Sequence, residues 1–156
     1  MIKEAIRVKG HVKLTARDPK TGEIVAAVER DNLVVTSGLE LIAKMLVDTS
    51  GFDTGLTYCA VGTGTTAVDT AQTTLITETS RKAITLKDRA TSTIYLFTSF
   101  LSTEANVYIK EIGIFGHSTA SGTANSGVMF SRALLSYDNS GGSPRDISIE
   151  WTVTFS

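Results

Sequence analysis

Near the C-terminus, Ile147, Ile149, Trp151, Val153 and Phe155 alternate with Ser148, Glu150, Thr152 and Thr154. Successive side chains of a β-strand point to opposite faces, so this period of two requires a strand with one face in a core and the other in water. Burying Trp151 alone removes about 150–250 Å² from water, a gross few kcal/mol at about 25 cal/mol per Å². The end of the chain is therefore core.

The same period recurs near the N-terminus. Val8, Gly10, Val12, Leu14 and Ala16 alternate with Lys9, His11, Lys13, Thr15 and Arg17. Asp18-Pro19-Lys20-Thr21-Gly22 then carries turn chemistry, and Ile24–Arg30 reads as the returning strand of a hairpin. Asp31 to Val35 continues extended. Further strands are expected at Tyr58–Val61, Ala83–Leu86, Ser92–Ser102, Ala105–Gly116 and Val128–Tyr137. Ile94-Tyr95-Leu96-Phe97 is apolar on both faces, as in a central strand. Gly113, inside its strand, marks a bulge or a close backbone approach. His117–Gly127 and Asp138–Arg145 are poor in apolar residues and read as an exposed, mobile loop and a polar turn.

One stretch changes period. Ser37 stands three residues before Glu40, the spacing of a capping box, and Leu39, Ile42, Ala43 and Leu46 recur at helical spacing with Leu41 and Met45 beside them. This predicts a single substantial helix near residues 38–47, buried on most sides and plugging one side or end of the sheet. The fold class is thus mainly β, an antiparallel β-sandwich or barrel with one short buried helix. All 156 residues form one domain, with residues 1–6 as an N-terminal arm that could reach a neighbour.

Composition excludes several roles. A net charge of -1 and a pI near 6.1 lack the cationic excess that a nucleic-acid or anionic-membrane binder needs. No apolar run approaches the roughly 20 residues that span a bilayer, and the first ten residues are too broken by charge for a secretory signal. The single cysteine, Cys59, cannot form an intramolecular disulfide and lies in an apolar run as a small hydrophobe.

The stretch Leu56–Arg81 invites a ligand at Gly62-Thr63-Gly64. A P-loop needs a lysine after its second glycine, and a dinucleotide fingerprint needs a third glycine; both are missing. The plainer reading is that these glycines let the chain leave a strand with positive φ. His11 and His117 are the only histidines and neither stands in a nucleophile motif; Asp88, Glu104 and Glu111 have no telling spacing. Asp138-Asn139-Ser140-Gly141-Gly142 lacks the closing glutamate of an EF-hand. No catalytic residue, metal site or cofactor is expected. Glu78 with Arg81, and Lys110 with Glu111, read as surface pairs worth under about 1 kcal/mol. Glu111 also has a second reading. It sits in an apolar strand, and if buried it needs Arg81 or Arg132 as a partner, making a bridge between strands or subunits.

The ordered set Asn32-Leu33-Val34-Val35-x-x-Gly38, Ala60-Val61-Gly62-Thr63-Gly64 and Thr74-Leu75-x-x-Glu78-x-x-Arg81 resembles small bacteriophage virion structural proteins. Ile109-Lys110-Glu111-Ile112-Gly113-Ile114-Phe115, Phe130-Ser131-Arg132 and Ile149-Glu150-Trp151-Thr152-Val153 complete it. The resemblance runs from Asn32 to the end. It is to tail-fibre, tail-collar and baseplate-associated proteins, and to some head-decoration proteins. It implies a non-catalytic, β-rich virion component, assembled in the host cytoplasm as a homo-oligomer, often a trimer, with other virion proteins as neighbours. A tail component is the first expectation and a capsid decoration protein the alternative. A carbohydrate-binding module is more distant, because few aromatic residues fall outside core-like strands. Glu78, Arg81, Glu111 and Arg132 are the candidates for structural or subunit contacts.

Overall fold

The computed structural model describes residues 4–48, 50–52 and 54–156. The N-terminal arm expected over residues 1–6 therefore lies partly outside the described residues. Among the described residues nine antiparallel strands and one helix follow one another as β1 (Val8–Arg17), β2 (Ile24–Val34), α1 (Thr36–Val47), β3 (Leu56–Gly62), β4 (Glu78–Ala83), β5 (Leu86–Ala90), β6 (Thr93–Phe100), β7 (Tyr108–Gly116), β8 (Val128–Asp138) and β9 (Asp146–Phe155). The strands form a single curled sheet in the order β4-β3-β7-β8-β2-β1-β9-β6-β5.

Two crossings fold this sheet into facing halves. Along β2, Asn32 still pairs with Gly10 of β1, but Leu33 pairs with Arg132 of β8, so one strand passes from one half to the other. At the opposite margin the edge strands β4 and β5 are joined by Ile84 and Thr85. The Ile84 N–H donates to the Thr57 carbonyl of β3 and the Thr85 N–H to the Phe97 carbonyl of β6, both at 2.8 Å. The expected strand Ala83–Leu86 is therefore this crossing, flanked by two strands the sequence reading did not separate. β5 in particular, Leu86-Lys87-Asp88-Arg89-Ala90, is exposed along its whole length and carries no core signal.

Trp151, Leu14, Ile149 and Phe100 from one half meet Cys59, Ile112, Ile114 and Leu135 from the other in the main core. The alternation of β1 and β9 faces inward as the periodicity requires. The Asp18 turn closes as expected: its carboxylate accepts from the Lys20 and Thr21 N–H groups, and Gly22 takes φ 74°. Those two N–H groups, and then the Arg145 guanidinium, hold the Asp18 carboxyl below the usual aspartate range. β6 departs from expectation. It is paired on both sides, but no second layer covers its outer face, so Leu96 is buried while Tyr95 is exposed.

α1 lies across one end of the sandwich, where Leu41, Ile42, Met45 and Leu46 meet Leu56, Phe130, Ile94 and Phe155 around a small apolar cavity. The plugging role holds. Burial on most sides does not, because only Gly38 and Leu41 are fully buried and Leu39, Met45, Leu46 and Val47 are exposed. Nor is there a capping box. The helix begins at Thr36 behind Val35, without a side-chain cap, and the Ser37 hydroxyl donates to the Met129 carbonyl at 2.8 Å. The serine thus ties the helix start to β8 and caps none of its N–H groups. Gly38 sits so close to that strand that a Cβ would lie 2.1 Å from the Phe130 carbonyl oxygen. Gly38→Ala is expected to force α1 off β8 and lower stability by about 1–3 kcal/mol, the usual cost of overpacking. Urea denaturation followed through Trp151 fluorescence measures it.

Candidate functional site

β3, β4, β7 and β8 lie side by side, and their register places Glu78 beside Gly62, Arg81 beside Ala60 and Arg132 beside Gly113. These positions share the face that points away from the main core. The connection between β3 and β4, residues 63–77, folds over that face and seats Leu75 against Val35, Ala60, Phe115 and Met129. Leu75 re-enters as expected; Ile76, its expected companion, stays exposed. Leu75 also fills the space beside Gly113, where a Cβ would come within 2.9 Å of it, so the close approach expected there is by a side chain.

Under this cover the Glu111 and Arg132 side chains are both 0% exposed. The Arg132 Nε–H donates to Glu111 Oε2 at 2.9 Å, and Nη2 comes within 2.8 Å of the same oxygen off the line of a good hydrogen bond. The carboxylate accepts three further bonds, all from main chain. Oε1 takes the Gly64 N–H at 3.0 Å and the Thr77 N–H at 2.6 Å, and Oε2 takes the Ile76 N–H at 2.9 Å. Arg132 is completed by the Thr66 carbonyl at 2.9 Å and Gln72 Oε1 at 3.0 Å through Nη1. Each ion of the pair is thereby supplied with the polar partners that make burial of a charge tolerable.

The glycine loop does bind an anion, and the anion is internal. Neither Gly62 nor Gly64 is among the positive-φ glycines, which corrects the expectation of a left-handed strand exit. Their lack of a side chain gives room. A Cβ on Gly62 would lie 2.3 Å from the Thr77 carbonyl oxygen, and one on Gly64 would lie 2.5 Å from Glu111 Oε1. The first turn of the loop is shaped around the carboxylate.

Glu78 and Arg81 form a second buried pair, each side chain 2% exposed, instead of the surface pair expected. Arg81 Nε and Nη2 donate to the two Glu78 oxygens at 2.7 and 2.9 Å, a bidentate fork. The guanidinium lies 4.1 Å from the centre of the Phe115 ring, and its Nη1 donates to the Ser126 carbonyl at 2.7 Å. Glu78 Oε2 accepts the Asn125 N–H at 3.0 Å. The loop expected to be free over 117–127 is thus exposed yet anchored at its far end, further knotted by Ser126 Oγ with Ser121 and Thr123. Lys110 is not paired with Glu111; its ammonium lies 4.6 Å from the Tyr108 ring centre.

The remaining candidates lie apart from these pairs. His11 meets Asp31 and Glu29 on the outer face of β1, and His117 packs on Phe52 with its Nδ1 2.8 Å from Thr119 Oγ1. Glu104 joins Lys82, whose hydrogen bond holds the carboxyl below the usual glutamate range. Asp138 binds Ser140 and is likewise lowered. Burial pushes the Cys59 thiol up to about 12, so it is protonated at neutral pH. Among the described residues no cluster of His, Cys, Asp and Glu has metal-binding geometry. The sequence reading missed Gln72, the main-chain donors around Glu111 and the Asp18–Arg145 ion pair that ties the first turn to the last. Gln72 had no signal, since it sits in a polar stretch indistinguishable from open loop. No family model, no curated protein and no solved structure matches this chain.

Two outcomes follow. Removing one member of a buried ion pair costs about 3–5 kcal/mol, so Glu111→Gln, whose amide must turn an N–H toward either Arg132 or the main-chain donors, is expected to lose an amount of that order in urea denaturation. A thiol reagent at pH 8 is expected to leave Cys59 unmodified in the native protein and to label it at the unfolding midpoint, read by mass spectrometry.

Proposed function

We propose that this chain is a non-catalytic structural subunit of a bacteriophage particle, acting by assembly with copies of itself and with other virion proteins. The observation that carries this reading is the use made of its motif-bearing charges. Glu78, Arg81, Glu111 and Arg132 all lie in the segments that carry the resemblance to virion proteins, and all four are turned inward and held by partners within the same chain. Groups held in this way bind loops to a sheet; they are not poised to exchange protons or take a ligand. What remains for function is shape, namely loops, strand edges and an apolar helix face. A place in the tail, as part of a fibre, collar or baseplate, is the first reading, capsid decoration the alternative, and the resemblance implies a homo-oligomer, often a trimer.

Mass measurement in solution by light scattering, together with a search for this polypeptide in purified particles, tests the reading. A stable oligomer found in particles is expected, and a tail-only preparation containing it separates tail from head decoration. A monomer absent from particles overturns the proposal.

A further inference from the structure

α1 carries two apolar stripes where a helix lying on a single core needs one. The inner stripe, Gly38, Leu41, Ile42 and Met45, faces the sandwich end. The outer stripe is Leu39, Ala43 and Val47, at spacings i, i+4 and i+8 on one side of the helix, with Leu46 on its inner margin, where it also borders the cavity at the sandwich end. All four are exposed, Leu46 by 85% and Val47 by 78%. Scattered exposed apolar residues are ordinary, but a stripe with the period of a helix-packing surface is the pattern that a second helix fills.

The arrangement along that stripe is self-complementary. Leu39 and Leu46 stand at its two ends with the small Ala43 between them, and Glu40 and Lys44 flank it on one side. Two copies placed antiparallel about an axis between residues 42 and 43 set Leu39 of one against Leu46 of the other. The same axis brings Glu40 toward Lys44 of the opposite copy, while Ala43 allows the backbones to approach. A parallel two-fold would carry the two Glu40–Lys44 flanks to opposite sides of the contact and leave each without a complement.

The surface beside the stripe extends the same contact. Leu39 also lines a cleft of about 510 Å³ with Ile6, Val8, Leu33 and Val34, formed where β2 leaves β1 for β8. Arg7 and Ser156 exchange both main-chain hydrogen bonds. By the alternation of an antiparallel ladder, Val8 then directs its N–H and C=O toward the cleft, where β2 has already departed. Both amide atoms of Asn32, which lines the cleft, are shielded from water and have no hydrogen-bond partner among the described residues. Four helix side chains fall short of the roughly 800 Å² per partner of a specific interface, and the cleft supplies adjoining area.

We infer that the outer face of α1 is the contact between two copies of this chain, packed antiparallel across a two-fold axis with the adjoining cleft covered by the same partner. This rests on the self-assembly reading above and names the surface that carries it. In an assembly built of trimers, the contact joins one trimer to a second.

Light scattering on the full chain gives the test. The wild type is expected at an even multiple of 16.6 kDa, and Leu39→Arg with Leu46→Arg is expected to halve that mass while keeping the Trp151 unfolding transition. Independently, Ala43→Cys is expected to form a disulfide-linked pair under mild oxidation, with buried Cys59 a non-participant; it decides the matter if the double variant fails to fold. A double variant of unchanged mass, or no cross-link, overturns this contact and leaves self-assembly standing. A wild-type trimer does the same. A wild-type monomer overturns this contact, and if it is also absent from particles it overturns the virion reading as well; a monomer found in particles, whose double variant is lost from them, shows that the stripe meets a different virion protein.

Discussion

The carboxylate of Glu111 is the point on which the outer layer of this protein depends. The connection between β3 and β4 is a long polar segment with little to bury, and apart from Leu75 it has no hydrophobic reason to lie down on the sheet. Glu111 supplies another reason by taking the N–H groups of Gly64 at the start of the connection and of Ile76 and Thr77 at its end. Arg132, aligned by its place on β8, balances the charge and reaches the middle of the same segment at Thr66 and Gln72. One ion pair thus fixes both ends and the centre of a loop. A buried pair of this kind adds little net stability over well-packed apolar groups, but its directional bonds specify a single path for the chain.

Glu78 and Arg81 repeat the device one strand away. Their fork holds the end of the 117–127 loop as Glu111 and Arg132 hold 63–77, and Phe115 lies between, under the Arg81 guanidinium. The sandwich is therefore layered three deep on one side: a core half, a sheet, and a cover of polar loops tied by two ion pairs. On the other half, the outer faces of β6 and β9 carry no such cover. This asymmetry, with the apolar stripe of α1 at one end, is the physical form of the structural role proposed here.

Much of the frame was legible along the chain. Period-two alternation placed β1 and β9, Asp18 to Gly22 announced its own turn, and the change to helical spacing after Val35 marked α1. Each signal is local, because a strand with one wet face must alternate and a tight turn must supply its own acceptors. The misses have equally physical causes. β5 has no buried residue, so periodicity had nothing to record. Ser37 and Glu40 have the spacing of a capping box, but the helix starts one residue earlier, behind Val35, and the serine hydroxyl is turned to donate to a strand 92 positions away. The Glu78–Arg81 pair looks the same in sequence whether it faces water or lies beneath a loop.

The sequence by itself determined a β-rich domain closed by its own C-terminal strand, with one helix and a tight glycine corner, since those follow from residue type and spacing over a few positions. Only the tertiary structure decided that the corner encloses Glu111, that Arg132 and not Arg81 is its partner, and that α1 keeps an apolar face in solvent. Those facts depend on which strands become neighbours and how far loops fold back over them, and no short window of sequence holds both sides of such a contact.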